Sequence, residues 1–125
     1  MAAEMIERRI RRSDNQSAAL RFQLENTLKR GRMAALALAD RCGLLLAWAG
    51  EEPVCLELGA VAPMVVNGWP AGLEPAPAIT RTEVSVRAIE CFGEELFLAS
   101  LGGGGASDAL LAHSARGIHR ILTAN

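Results

Sequence analysis

Ser17, Leu20, Leu24, Thr27 and Leu28 recur at helical spacing on one face of the first ordered stretch of the chain. Just before them, Ser13-Asp14-Asn15-Gln16 fits a capping box, in which the Ser13 hydroxyl accepts from the third helical amide while Gln16 reaches back to the cap. A first helix is expected from there to Gly31, a residue placed to end it in a left-handed conformation. Two short apolar runs follow, Ala34 to Ala39 and Leu44 to Ala49, joined by Asp40-Arg41-Cys42-Gly43. Aspartate opens turns and glycine tolerates positive φ, so the two runs predict a β-hairpin. Pro53 suits the first turn of a second helix, where its missing amide would be unpaired in any case, and that helix is expected to run to about Pro63. Asn67 to Pro77, with three prolines and two glycines, predicts a loop.

From Thr82 to Phe92 the period becomes two, with Val84, Val86 and Ala88 alternating against Glu83, Ser85 and Arg87, which predicts a strand. Phe92-Gly93-Glu94-Glu95 turns the chain into another strand, Leu96 to Leu101. Four glycines follow, Ser107 or Asp108 is expected to cap a last helix, and Leu111, Ala115, Ile118 and Leu122 line its buried stripe. The expected fold class is α/β in its α+β form: a central antiparallel sheet of four to five strands flanked by three helices, in the order α-β-β-α-(β)-β-β-α.

Length and composition narrow the choice. The chain has 125 residues, 50% of them hydrophobic and 22% charged, which suits one domain with a real core and excludes both a disordered tail and a pair of conventional enzyme domains. The chain divides into a basic N-terminal arm, residues 1–12, and a single domain, residues 13–125. Its unbroken apolar runs, such as Leu44 to Ala49, are far short of the roughly 20 residues that cross a membrane. Charges occupy the N-terminal positions where a secretion signal needs its apolar segment, so a cytoplasmic location is expected. Cys42, Cys55 and Cys91 match neither a zinc-binding spacing nor a redox pair and are expected as reduced thiols.

The formal net charge of -1 hides an uneven distribution, because the first 33 residues carry eight Lys/Arg against four Asp/Glu. Arg8, Arg9, Arg11 and Arg12 are a basic patch that nucleic acid or an anionic lipid surface would suit. A solvated helix face is the stronger reading, since no aromatic residue interleaves the arginines to stack on bases.

The residues from Ala35 to Gly50, A-L-A-L-A-D-R-C-G-L-L-L-A-W-A-G, resemble the Roadblock/dynein light chain family in its bacterial type: apolar strand, Asp-x-x-Gly turn, apolar strand, small-residue ending. The strand E-E-L-F-L-A-S-L-G and the closing helix A-R-G-I-H-R-I-L are similar to the C-terminal half of that family, and the likeness extends over residues 14 to 123. The resemblance implies a profilin-like or longin-like fold and a non-enzymatic subunit that dimerises and binds small Ras-like GTPases or motor and signalling complexes. The family places three strands between its second and third helices, whereas here the Pro-rich loop occupies the place of the first.

Candidate chemistry is sparse. Leu101-Gly102-Gly103-Gly104-Gly105-Ala106-Ser107 lies between a strand and a helix, the setting of a phosphate cradle, but no lysine follows and too little chain remains for a dinucleotide-binding unit. A flexible connection with Ser107 as cap is the simpler expectation. His113 and His119 fall on different helix faces and cannot share a metal; His113 is expected to group with Arg116 and Arg120 opposite the buried stripe. Glu51/Glu52 and Glu94/Glu95 are adjacent carboxylates that mark a helix start and a hairpin tip. With no nucleophile, base or ligand set converging, neither an enzyme, a metal nor a cofactor is expected.

The informative element is the second helix. Val54, Leu58, Val61 and Ala62 form its core stripe, while Leu56, Gly59, Ala60 and Pro63 are expected on the opposite side. A helix apolar on both faces exposes a patch unless another chain covers it. These four residues are the candidate interface of a homodimeric adaptor that binds a small Ras-like GTPase. A structural assembly subunit with no GTPase partner is the alternative, and nucleic-acid or membrane-surface binding through the N-terminal arginines is a more distant one.

Overall fold

The strand β1 (Met33–Asp40) is covered on both faces, and its residues alternate accordingly. Leu36 and Leu38 point to one side, Ala35, Ala37 and Ala39 to the other, and all five are fully buried. A strand buried on both sides appears in sequence as an unbroken apolar run, here with large and small residues alternating in place of apolar and polar ones.

The computed structural model describes residues 14–68 and 83–124. Helix α1 (Asp14–Gly31) leads into β1, which turns into β2 (Leu45–Gly50); α2 (Glu52–Asn67) follows, then β3 (Val84–Cys91), β4 (Glu94–Gly102), a short 3-10 turn (Gly104–Ala106) and α3 (Ser107–Thr123). The strands pair antiparallel in the order β2-β1-β4-β3. This is the expected α+β sheet with three helices, four strands being present among the described residues. The arm of residues 1–12, Ser13 of the capping box, most of the Pro-rich loop and the place of the optional fifth strand lie outside the described residues.

The sheet separates two cores. On one face Leu36 and Leu38, with Ile89, Leu96 and Leu98, pack against Leu20 and Leu24 of α1 and Leu111, Ile118 and Leu122 of α3. On the other, Ala35, Ala37, Phe97 and Ala99 pack against Cys55, Leu58, Val61 and Ala62 of α2. Alanine on the α2 side of β1 lets that helix approach closely. A Cβ on Gly59 would lie only 3.3 Å from the Ala39 Cβ and 3.4 Å from Leu45 Cδ1.

The β1–β2 turn forms as its sequence predicts. Asp40 Oδ1 accepts from the amides of Cys42 at 2.8 Å and Leu44 at 2.9 Å, and Gly43 takes φ 85°. The aspartate thereby replaces the backbone partners that a tight turn leaves short.

Several boundaries differ from expectation for tertiary reasons. Gly31 stays helical, and the left-handed residue is Arg32 at φ 50°. Packing explains the glycine instead, since a Cβ there would lie 2.8 Å from Met33 Cε and 3.0 Å from Leu110 Cδ1. Helix α2 continues through Pro63 to Asn67. An interior proline costs about 3 kcal/mol, and the burial of Val61 and Ala62 before it and the packing of Val65 after it offset that cost. The tip of the β3–β4 hairpin is only Phe92-Gly93, at φ 55° and 79°, so Glu94 and Glu95 already belong to β4. Strand β3 starts at Val84, and its inward residues change side along its length: Val84 and Val86 pack with the α2 core, Ile89 and Cys91 with the opposite one, while Ala88 is exposed.

Ser107 does not cap α3. The N-cap position is Ala106, without a side-chain cap, and the Ser107 hydroxyl donates back to Gly104 O at 2.9 Å while lying 3.2 Å from Ser85 Oγ. The glycine run is a packed connection: Gly102, Gly103 and Gly104 all take positive φ, and a Cβ on Gly103 would lie 3.1 Å from Met33 Cγ and 3.2 Å from Gly31 O.

Candidate functional site

Helix α2 begins as its sequence dictates. Glu51 is the N-cap, Glu52 places a carboxylate in the first turn where the helix dipole favours it, and proline occupies the start. The Cys55 amide donates to Glu51 O at 3.0 Å, and at the far end the Gly68 amide donates to Met64 O at 2.7 Å. Between these ends the helix lies over an alanine-lined sheet, and its inner face is filled by Cys55, Leu58, Gly59, Val61 and Ala62.

Its outer face leaves apolar atoms in solvent. Leu56 is 51% exposed, Ala60 is exposed, and Pro63 is half-buried one turn further on. The spacing of four and three residues puts them on one stripe. Gly59 does not belong to it. That glycine is buried against Ala39, Leu45 and the carbonyl of Gly43, so the predicted patch loses one member to the molecule's own hairpin. Helical angle alone puts Gly59 on the outer side, and the neighbouring β1–β2 turn widens the buried arc of the helix to include it.

Two exposed apolar residues extend the same side. Val66 is 45% exposed in the last turn of α2. Trp48 is 39% exposed on β2, where it pairs in register with Ala37 and so shares the side of the sheet on which α2 lies. In the sequence Trp48 reads only as part of a hairpin strand. The signal that identifies it is its phase, opposite a small residue of β1 whose side is already defined.

The thiols carry no evident chemistry. Cys42 is exposed, and Cys55 and Cys91 are buried. Cys55 Sγ donates to Ala49 O at 3.2 Å, and burial pushes its thiol pKa up, against the smaller downward pull of the Leu36 and Ala49 carbonyl contacts. A thiol held in its protonated form is a poor nucleophile.

His113 is exposed on α3 with Arg116 and Arg120, away from the buried stripe, as expected. His119, and not His113, shares a cleft with Arg116 and Arg120, between α3 and β3. No cluster of three or more potential metal ligands occurs among the described residues. None of the described helices is long and apolar enough to cross a membrane.

The order of elements, with α2 on one face of an antiparallel sheet and α1 and α3 on the other, is a Roadblock-like fold of the longin and profilin type. The structure of Myxococcus xanthus MglB is similar: the match covers 90% of this chain and 96% of that one, with a TM-score of 0.56 and 10% sequence identity. No protein-family model matches the sequence. No curated protein matches it either. At such low identity the likeness is one of fold.

Proposed function

We propose that this chain is a non-enzymatic, cytoplasmic adaptor that forms a homodimer and binds a small Ras-like GTPase. The observation that carries the reading is the apolar outer stripe of α2, Leu56, Ala60 and Pro63, on a helix whose inner face is already filled. A solvent-facing stripe of this kind is stabilised when a second surface removes it from water. The small Ala60 side chain supports close approach of another backbone, and the Roadblock resemblance of the hairpin supports a GTPase as the partner.

The reading is tested by retaining proteins from the native cell on the purified chain and on its Leu56→Glu variant, with mass spectrometry of what each holds. The parent dimer is expected to retain a small GTPase, and the variant, left monomeric by the charge, to lose it. If the parent retains other proteins but no GTPase, the chain is a structural assembly subunit. Metal bound stoichiometrically, or a nucleotide hydrolysed by the chain alone, overturns the non-enzymatic reading.

A further inference from the structure

On the face of the sheet opposite α2, a cleft of about 410 Å³ runs between β3 and α3. Its rim carries Arg87 from β3 and Arg116, His119 and Arg120 from α3, and its floor is Ile89 and Ala115, flanked by Ala88 and Ala112. All four basic residues are exposed. Among the described residues none of the three guanidinium groups has an ion-pair partner. Arg116 and Arg120 stand one helical turn apart, a spacing at which like charges repel. Three uncompensated guanidinium groups around one cleft are unfavourable for the isolated domain and become favourable when an anion sits among them.

We infer that this cleft binds an acidic peptide segment of a partner protein, with carboxylates paired to Arg87, Arg116 and Arg120 and an aliphatic side chain resting on the Ile89–Ala115 floor. The geometry favours a peptide over other anions. The floor is apolar and made mostly of small residues, which suits one aliphatic side chain between flanking carboxylates. Among the described residues no aromatic side chain lines the cleft, and these residues offer no stacking surface of the kind that single-stranded nucleic acid uses. Because α2 lies on the other side of the sheet, both surfaces are open to partners at once.

The test is fluorescence anisotropy with a labelled peptide of aspartate and leucine residues, alongside a lysine and leucine peptide and a single-stranded DNA oligonucleotide. The acidic peptide is expected to bind saturably, with affinity that falls as salt rises. Arg116→Glu and Arg87→Glu are expected to weaken it about tenfold or more, since each replaces an attraction by a repulsion. Arg41→Glu, an exposed change in the β1–β2 turn, is the control and is expected to leave binding unchanged. Should Arg116→Glu fail to fold, Arg116→Gln is expected to give a smaller loss with an unchanged circular dichroism spectrum. The inference is overturned if the acidic peptide does not saturate, if Arg41→Glu weakens it as much as Arg116→Glu, or if the oligonucleotide binds more tightly. None of these outcomes involves the α2 stripe, so the cleft and the GTPase reading fail or stand separately.

Discussion

Thr27 Oγ1 on α1 donates to Ser114 Oγ on α3 at 3.0 Å, in a position where both side chains are buried. The contact fixes how the two helices cross on their shared face of the sheet. Its surroundings are built for it: Gly117, one turn further along α3, makes room for the Gln23 side chain, since a Cβ there would lie 2.6 Å from Gln23 Oε1. The two partners are not equivalent. Without Ser114, the Thr27 hydroxyl still has Gln23 O at 3.0 Å; without Thr27, Ser114 Oγ keeps only a long contact of 3.5 Å from Gln23 Nε2. Thr27→Val is therefore expected to cost about 1–3 kcal/mol and Ser114→Ala less, with the double variant less destabilised than the two losses added together. Urea denaturation of the four proteins checks this, and equal losses that add would show that the pair contributes nothing as a pair.

Gly50 ends β2 at φ 107°, where a Cβ would lie 2.9 Å from the Ala34 carbonyl oxygen. A backbone atom in the middle of a sheet cannot give way as a flexible side chain does. Gly50→Ala is expected to lower stability by about 1–3 kcal/mol through strain alone. The same substitution at Gly105, which has open space around it and no positive φ, is expected to be close to neutral. Thermal melts of the two variants compare them directly.

Association through α2 is tested by a charge on its outer stripe. Ala60→Glu and Leu56→Glu leave Cys55, Leu58, Val61 and Ala62 untouched, so the fold is expected to persist. In a twofold dimer each new carboxylate would meet the same patch of the other subunit, and an unpaired buried charge costs several kcal/mol. Sedimentation velocity should show a folded monomer for the variants and a dimer for the parent. Dimers throughout would move the contact elsewhere on the molecule.

Among the described residues, Leu20, Leu24 and Thr27 of α1 are buried in the core, and the capping sequence at Ser13 is expected to start that helix after the basic arm. Deleting residues 1–12 should leave the melting temperature nearly unchanged. A large loss would mean that Ile6 and Ile10 pack into the core or across a dimer.

Cys55 gives a pH signature. Burial raises its thiol pKa above the ordinary 9.0, so the folded chain holds the proton more tightly than the unfolded chain does. The stability contributed is present in full below the unfolded value and falls as pH rises from there toward the folded one. Cys55→Ala should remove that share of the alkaline loss, seen as a smaller dependence of unfolding free energy on pH on the alkaline side of the ordinary value. An identical pH dependence in parent and variant would mean that the burial has no energetic weight. In the folded parent, a thiol reagent near neutral pH should label the exposed Cys42 first.

Much of the fold was legible in the residues because local chemistry determined it. Asp40 and Gly43 specify a turn that needs no other part of the chain, and Leu111, Ala115, Ile118 and Leu122 specify the buried side of α3 by spacing alone. The alternation of leucine and alanine from Ala35 to Ala39 already states that one strand separates a bulky core from a close-packed one. Other features depend on neighbours that are distant in sequence. The extension of α2 beyond Pro63 follows from packing against the sheet, the burial of Gly59 from the turn at Gly43, and the role of Gly31 from Met33 and Leu110. Ser107 looks like a cap until Ser85 and Gly104 are brought beside it. Arg87 and Arg116 are 29 residues apart in the chain and share a cleft only because α3 packs back along β3. The sequence by itself determined which segments form helices and strands and which sides of them are apolar, since those follow from short-range periodicity. Only the tertiary structure decided which apolar and charged groups remain uncovered, because exposure depends on what the rest of the chain places over each face.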